Sequence, residues 1–370
     1  MRPPAGATPA YGYIPGLDGL RACAVLLVLV AHLGFNHVIP GGFGVTLFFF
    51  ISGMLITRLL LAEHQAKGQI GIANFYARRA FRLYPALLMA IVLGTLAFNA
   101  DGGITPWGKI ASALFYYANY YGIYLHFGQG RDGFDPFSIL WSLSIEEQYY
   151  LLFPLLCAAL APRLRAFSLT LGLGVLAVLL WRSGLHFSGA SSDRIYMGTD
   201  TRIDSILYGA WLTLILANDT QQRWVRFSSG KLVQVVCVLM LLASFLIRND
   251  HFRDTLRYSL QGLALMPLIT AICFTRAMQP VTAVLESRPG RKLGAWSYSL
   301  YLYHPIAIVL SEILWGPGSL GIGRIGLPHY LGFALTALVL SFALATASYY
   351  GLEQPFMNLR KRFGAHIVND

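Results

Sequence analysis

Apolar runs of roughly 17–22 residues recur from one end of this chain to the other, and that leaves few folds open. A helix rises about 1.5 Å per residue, so such a run is long enough to cross the ~30 Å hydrocarbon core of a bilayer. Eleven runs can be marked, near 17–38, 42–62, 83–99, 110–125, 143–161, 167–184, 203–217, 231–248, 258–275, 294–315 and 330–351. Lipid offers a backbone amide no partner, so an open chain crosses it as helix. Composition agrees. Of 370 residues, 56% are hydrophobic and only 12% charged, about half the charge of an ordinary soluble domain. The chain reads as all-α, a polytopic membrane helix bundle forming a single domain over residues 1–370, with no internal repeat.

The net charge is +11. In a soluble protein that would suggest nucleic acid. Here the basic residues lie mostly in short segments between apolar blocks, where they set membrane orientation instead. Segment 63–82 holds Lys67, Arg78, Arg79 and Arg82, and segment 39–42 holds none. That places residues 1–16 and loop 63–82 in the cytoplasm. Arg360, Lys361 and Arg362 place residues 352–370 there too, which requires an even number of crossings. Block 110–125, "IASALFYYANYYGIYL", has five tyrosines and Asn119 and suits an interfacial or re-entrant segment better than a span. Removing it leaves about ten transmembrane helices, with residues 184–203 outside. The first block follows a Pro/Gly-rich polar start and lacks a small-residue cleavage site, so it reads as a retained helix rather than a signal peptide. Cys23, Cys157, Cys237 and Cys273 all fall inside apolar blocks without metal spacing, and read as small core residues.

Ionisable groups inside such blocks are the candidate functional residues. In "RACAVLLVLVAHL", Arg21 and His32 flank one apolar run. They are about 16 Å apart along a helix, so Arg21 lies near the cytoplasmic face and His32 in the outer half. Arg21 could simply snorkel to the interface. An ionisable group at the depth of His32 points to function, and histidine is the usual general base near neutral pH. In "FYARRAFRLYP", Arg79 and Arg82 are three apart and share a helix face, with Arg78 adjacent. They suit a positive-inside anchor or a phosphate clamp, because guanidinium forks bind phosphate bidentately. In "WSLSIEEQYYLLFP", Glu146 and Glu147 enter the outer end of a block. Adjacent carboxylates point to different faces, so at most one faces a shared cavity. Ser142 or Ser144 could cap that helix together with a glutamate. The topology puts both glutamates on the His32 side, where one could orient the imidazole as a general-base pair.

These fragments, with "GGFGVTLFFFISGMLIT", "DTRIDSILYGAWL" and "WSYSLYLYHP", resemble the acyltransferase 3 family of integral membrane acyl-transfer enzymes, in the family's order over nearly the whole chain. The resemblance implies a roughly ten-helix bundle that carries an acyl group, commonly acetyl, from cytoplasmic acyl-CoA to an extracytoplasmic hydroxyl. It implies that His32 is the catalytic histidine, Arg21 its motif partner, and Arg79 and Arg82 contacts for the CoA phosphates. It ties Glu146 and Glu147 to activity. Some members append an esterase-like domain. The chain stops at Asp370 soon after its last span, so the expectation is no such domain, with transfer completed alone or with a separate extracytoplasmic partner.

The expected enzyme therefore binds acyl-CoA as donor substrate, holds no permanent cofactor or metal, and contacts membrane lipid and a glycan or glycolipid acceptor. Its expected home is the bacterial inner membrane. The competing class is a transporter exporting a small acid or lipid-linked sugar through the same bundle. Asp200, Arg202 and Asp204 read as a structural ion-pair network, and His304 as a structural residue.

Overall fold

The computed structural model describes residues 12–125, 134–316, 319 and 326–360, and within these it contains helices and turns but no strand. Most of tail 1–16, the tail residues Lys361 and Arg362, and residues 126–133 of the aromatic outer region lie outside that range. The first half comprises α1 (Leu17–Val30), α2 (Gly41–Lys67), α3 (Ile72–Ala100), α4 (Trp107–Leu114), α5 (Ala118–Leu125), α6 (Leu140–Leu160) and α7 (Leu164–Phe187). Then come α8 (Ser192–Met197), α9 (Thr199–Arg202), α10 (Asp204–Asn218), α11 (Arg223–Ser228) and α12 (Lys231–Leu246). The last are α13 (Asp250–Asp254), α14 (Leu256–Phe274), α15 (Gln279–Leu285), α16 (Arg288–Trp315), α17 (Leu327–Ser348) and α18 (Gln354–Arg360).

The surface shows what solvent this bundle is built for. α7 exposes Leu169, Leu173, Leu176 and Leu180, and α12 exposes Leu232, Val235, Val236, Leu239, Leu242 and Leu246. α17 exposes Leu331, Leu335 and Val339. Steps of three or four make each set one helix face. Apolar stripes this long would aggregate in water but match lipid. The protein is a multi-pass membrane bundle. Lipid gives helices no hydrophobic reason to associate, so close backbone approach must hold them. α2 and α10 meet at Gly53 and Gly209, where a Cβ on either would overlap the facing helix backbone.

Polar contacts fix the two ends. At one, Arg58 donates to the Gly12 carbonyl, the Gly16 amide donates to Glu286, and Trp224 donates to Thr270. Arg223 and Arg226 flank Trp224, and Arg288 follows Glu286 by two residues. At the other end, Arg248 donates to the His37 carbonyl and His186 pairs with Asp254. Segregation of Lys and Arg toward one end is what the positive-inside rule requires.

Among the described residues, six helices are long and apolar enough to cross a membrane: Leu17–Phe35, Gly41–Lys67, Ile72–Ala100, Leu140–Phe187, Leu256–Phe274 and Leu327–Leu359. The expected ten is not reached on this measure, for physical reasons. Leu140–Phe187 is 48 residues long and is α6 and α7 joined through a 3-10 turn at Ala161–Arg163. α10 has 15 residues and α12 has 16, each short of a full span. α16 is long, but its Tyr, Ser and basic residues dilute its hydropathy. Block 110–125 is α4 and α5, eight residues each, broken at Phe115–Tyr117. Eight residues rise only about 12 Å, so neither helix spans alone. Its polar residue is satisfied within the protein: Asn119 bonds Gln148, Thr199 and the Met197 carbonyl. Cys157, Cys237 and Cys273 are buried as expected, but Cys23 is exposed on α1.

Candidate active site

A cavity of about 130 Å³ opens between α1, α2, α3, α6 and α16. Three guanidiniums line it: Arg21 from α1, and Arg79 and Arg82 from α3. The two α3 arginines share the face their spacing predicts. Glu146, Tyr150 and Ser52 line the same space, and Ser142 and Tyr301 line it where α6 meets α16. Ser52 hydrogen-bonds Tyr150. Ser142 Oγ and Tyr301 Oη are 2.5 Å apart.

The arginines are held differently. Arg79 donates to Glu147 Oε1 at 2.9 Å, and its guanidinium lies 3.6 Å above the Tyr150 ring. Arg21 lies 3.8 Å from Asp18. No hydrogen bond or ion pair to another described residue fixes Arg82, which lines the cavity. Arg78 does not join them: it donates to Glu63 at 3.1 Å, and Lys67 lies on the same carboxylate.

His32 sits where α1 breaks. The helix widens to a π turn over Ala31–Phe35, and Gly34 takes φ 98°, a left-handed conformation that suits glycine. The freed Leu33 carbonyl accepts from Tyr330 at 2.7 Å. A helix broken inside a bundle requires such compensation, and breaks of this kind are common at functional sites. His32 Nδ1 lies 3.0 Å from the Val28 carbonyl and 3.2 Å from His304 Nε2. Phe134 packs edge-on against the ring at 5.5 Å, and the Phe134 amide donates to Glu312.

The expected glutamate–histidine pair is not what forms. Glu147 pairs with Arg79 and Glu146 faces the arginine cavity, while the ring-nitrogen partners of His32 are Val28 and His304. The reason is depth. α6 begins inside the protein, with Leu140 through Ile145 all buried, so its second turn already lies level with Arg79. Of the two glutamates only Glu146 lines the arginine cavity, whose lining does not include His32. The residues that sequence reasoning passed over are Ser52, Tyr150, Tyr301 and Glu312, and His304 was read only as structural. One signal was available for two of them: Tyr301 and His304 are three apart in "SLYLYHP" and so share a helix face.

The other end of the bundle is braced by ion pairs with partners the sequence did not indicate. Asp204 pairs with Arg182 at 2.7 Å, both fully buried, and Asp200 pairs with Arg194 at 2.6 Å. Burial pushes the Asp200 carboxyl up, but the Arg194 fork and the Trp181 indole outweigh it and leave it below the usual carboxylate range. Arg202 joins neither pair. It donates to Thr46 and lies 3.8 Å over the Tyr258 ring.

A family model described as "Acyltransferase domain" matches residues 14–346. The "O-acetyltransferase OatA" of Staphylococcus aureus (strain NCTC 8325 / PS 47) is 33% identical over 361 residues, covering 93% of this chain and 57% of that protein. The "Putative peptidoglycan O-acetyltransferase YrhL" of Bacillus subtilis (strain 168) is 31% identical over 390 residues, covering 98% of this chain and 58% of that protein. The chain thus spans less than two thirds of the length of these curated relatives. No solved structure matches it.

Proposed function

The chain belongs to the acyltransferase 3 family, and from that premise we propose that it moves an acyl group, acetyl in the first instance, from cytoplasmic acyl-CoA to a hydroxyl of an extracytoplasmic glycan. The observation that carries this reading is the placement of the arginine cavity and His32 along one helix. Arg21 and His32 are both on the first helical segment, about 16 Å apart by residue count. CoA has phosphates at one end and a thin pantetheine arm at the other. Arg79, Arg82 and Arg21 line a cavity able to hold the phosphates. The arm then reaches past Ser142 and Tyr301 toward His32, and no phosphate has to enter the outer half of the bundle.

The chemistry follows from a hydroxyl's weakness as a nucleophile at neutral pH. His32 removes the hydroxyl proton as the oxygen attacks the thioester carbonyl carbon. The tetrahedral intermediate collapses, the C–S bond breaks, and the CoA thiolate leaves, taking the proton back from the imidazolium. The products are an ester and CoA thiol. A positioned base of this kind is worth about 10²–10⁴-fold. Glu146 and Glu147 act at the donor cavity, Glu147 by holding Arg79. We read about ten crossings with both ends inside, in a bacterial cytoplasmic membrane, on the segregation of the basic turns. A relative's name gives peptidoglycan as its acceptor, and a cell-envelope polysaccharide is the acceptor class proposed here.

Membranes containing the protein, given acetyl-CoA radiolabelled in the acetyl group, should accumulate base-labile label in the envelope glycan fraction, and control membranes should not. Label moved into vesicles without ester formation would instead identify a transporter.

A further inference from the structure

His304 is fully buried on α16, and nothing in the chemistry above uses it. Its ring joins that of His32 across 272 positions of sequence. His304 Nδ1 lies 2.7 Å from the Tyr301 carbonyl and 3.1 Å from the Leu300 carbonyl. Carbonyls only accept, so Nδ1 carries the hydrogen. That leaves Nε2 of the neutral ring as an acceptor, and it points at His32 Nδ1 from 3.2 Å. The second acceptor at His32 Nδ1 is the Val28 carbonyl. Two acceptors on one nitrogen require that nitrogen to be the donor. The protons therefore run one way, from His32 Nδ1 to His304 Nε2, and from His304 Nδ1 to the backbone.

We infer that His304 is a positioning residue for acyl transfer: it holds His32 as the Nδ1-protonated tautomer, so that Nε2 of His32 is the bare nitrogen that takes the hydroxyl proton. This rests on the reading of His32 as the base. The Val28 carbonyl also receives the Ala31 amide at the end of α1, and His304 Nε2 supplies the second acceptor at His32 Nδ1. His304 also meets the His32 imidazolium with a lone pair rather than a competing proton. An aspartate performs both tasks in a Ser-His-Asp triad. An intramembrane neutral imidazole does so without placing a second charge in lipid. Its own burial keeps His304 away from substrate, whereas His32 stays partly accessible.

The test compares three variants of the full-length protein with wild type. His304→Leu preserves volume but removes the acceptor. It should lower kcat about 10–100-fold, taking the cost of losing the outer hydrogen-bond partner of a metal-bound histidine as the guide, with KM for acetyl-CoA unchanged. His304→Gln returns an acceptor oxygen near the same position and should recover most of the loss. His32→Ala, expected to be inactive, reports separately on the reading beneath. If His32→Ala is active, that reading fails. If it is inactive and His304→Leu retains wild-type kcat, or Gln is as poor as Leu in folded protein, the positioning role is wrong. Nitrogen-15 NMR of histidine-labelled wild type gives an answer independent of catalysis: His32 should be protonated at Nδ1 and bare at Nε2. The reverse assignment overturns the inference.

Discussion

His32→Ala will abolish measurable acyl transfer while leaving a folded protein that still binds acyl-CoA. The ring is held by one shared backbone acceptor, one imidazole and an aromatic edge. Losing these should cost on the order of 1–2 kcal/mol of stability, within what a bundle of this size tolerates. The rate loses the whole contribution of a positioned base, about 10²–10⁴-fold. His32→Gln can still donate toward Val28 and His304 but cannot accept a hydroxyl proton, so it should be equally inactive. The arginine cavity is built from other helices and from the first turns of α1, so donor binding should survive in both variants. Substantial turnover by His32→Gln would make His32 a structural hydrogen-bonding residue.

The second large effect separates Arg79 from Arg82, which sequence spacing treats alike. Arg82 lines the cavity without a protein ion-pair partner among the described residues. Arg82→Ala should weaken acyl-CoA binding by about 1.5–3 kcal/mol, or roughly 10–150-fold, the value of one charge-assisted phosphate contact. Its thermal midpoint should be unchanged. Arg79 is bonded to Glu147, with both side chains largely buried at 16% and 14% exposure. Arg79→Ala leaves that carboxylate without its cation, and should destabilise the protein by about 3 kcal/mol in addition to any loss of donor affinity. Arg79→Ala combined with Glu147→Gln should regain most of the stability and none of the affinity. Isothermal binding and thermal unfolding in detergent check both. If each single variant binds acyl-CoA as tightly as wild type, the pair serves only as a topology anchor.

The helices were legible because lipid makes hydrophobic block length a direct measure of structure. The exception was legible for the same reason: five tyrosines and Asn119 do not belong in a lipid-facing span, and that block breaks into α4 and α5. Arg79 and Arg82 sharing a cavity wall follows from i,i+3 geometry alone. The depth of Glu146 and Glu147 was not legible. Counting from the start of an apolar block assumes that the block starts at the membrane surface, and α6 starts among buried residues behind the α4–α5 pair. Arg78 could not be distinguished from its neighbours, because its partner Glu63 lies on α2. The His32–His304 contact depends on α1 packing against α16, a tertiary fact with no local signature. The span count suffers from the converse problem. α16 mixes Tyr, Ser and His into a buried helix, so composition alone underrates helices that face protein rather than lipid.

The central claim is that donor and acceptor meet within one bundle from opposite faces. Sealed vesicles of known orientation, holding the acceptor glycan on the face opposite the basic end, test it most directly. Acetyl-CoA does not cross lipid unaided. Labelled acetyl-CoA supplied only at the face bearing Arg79 and Arg82 should yield ester on the opposite side in wild type and none in His32→Ala. Ester formed only when donor and acceptor share one side would contradict the account.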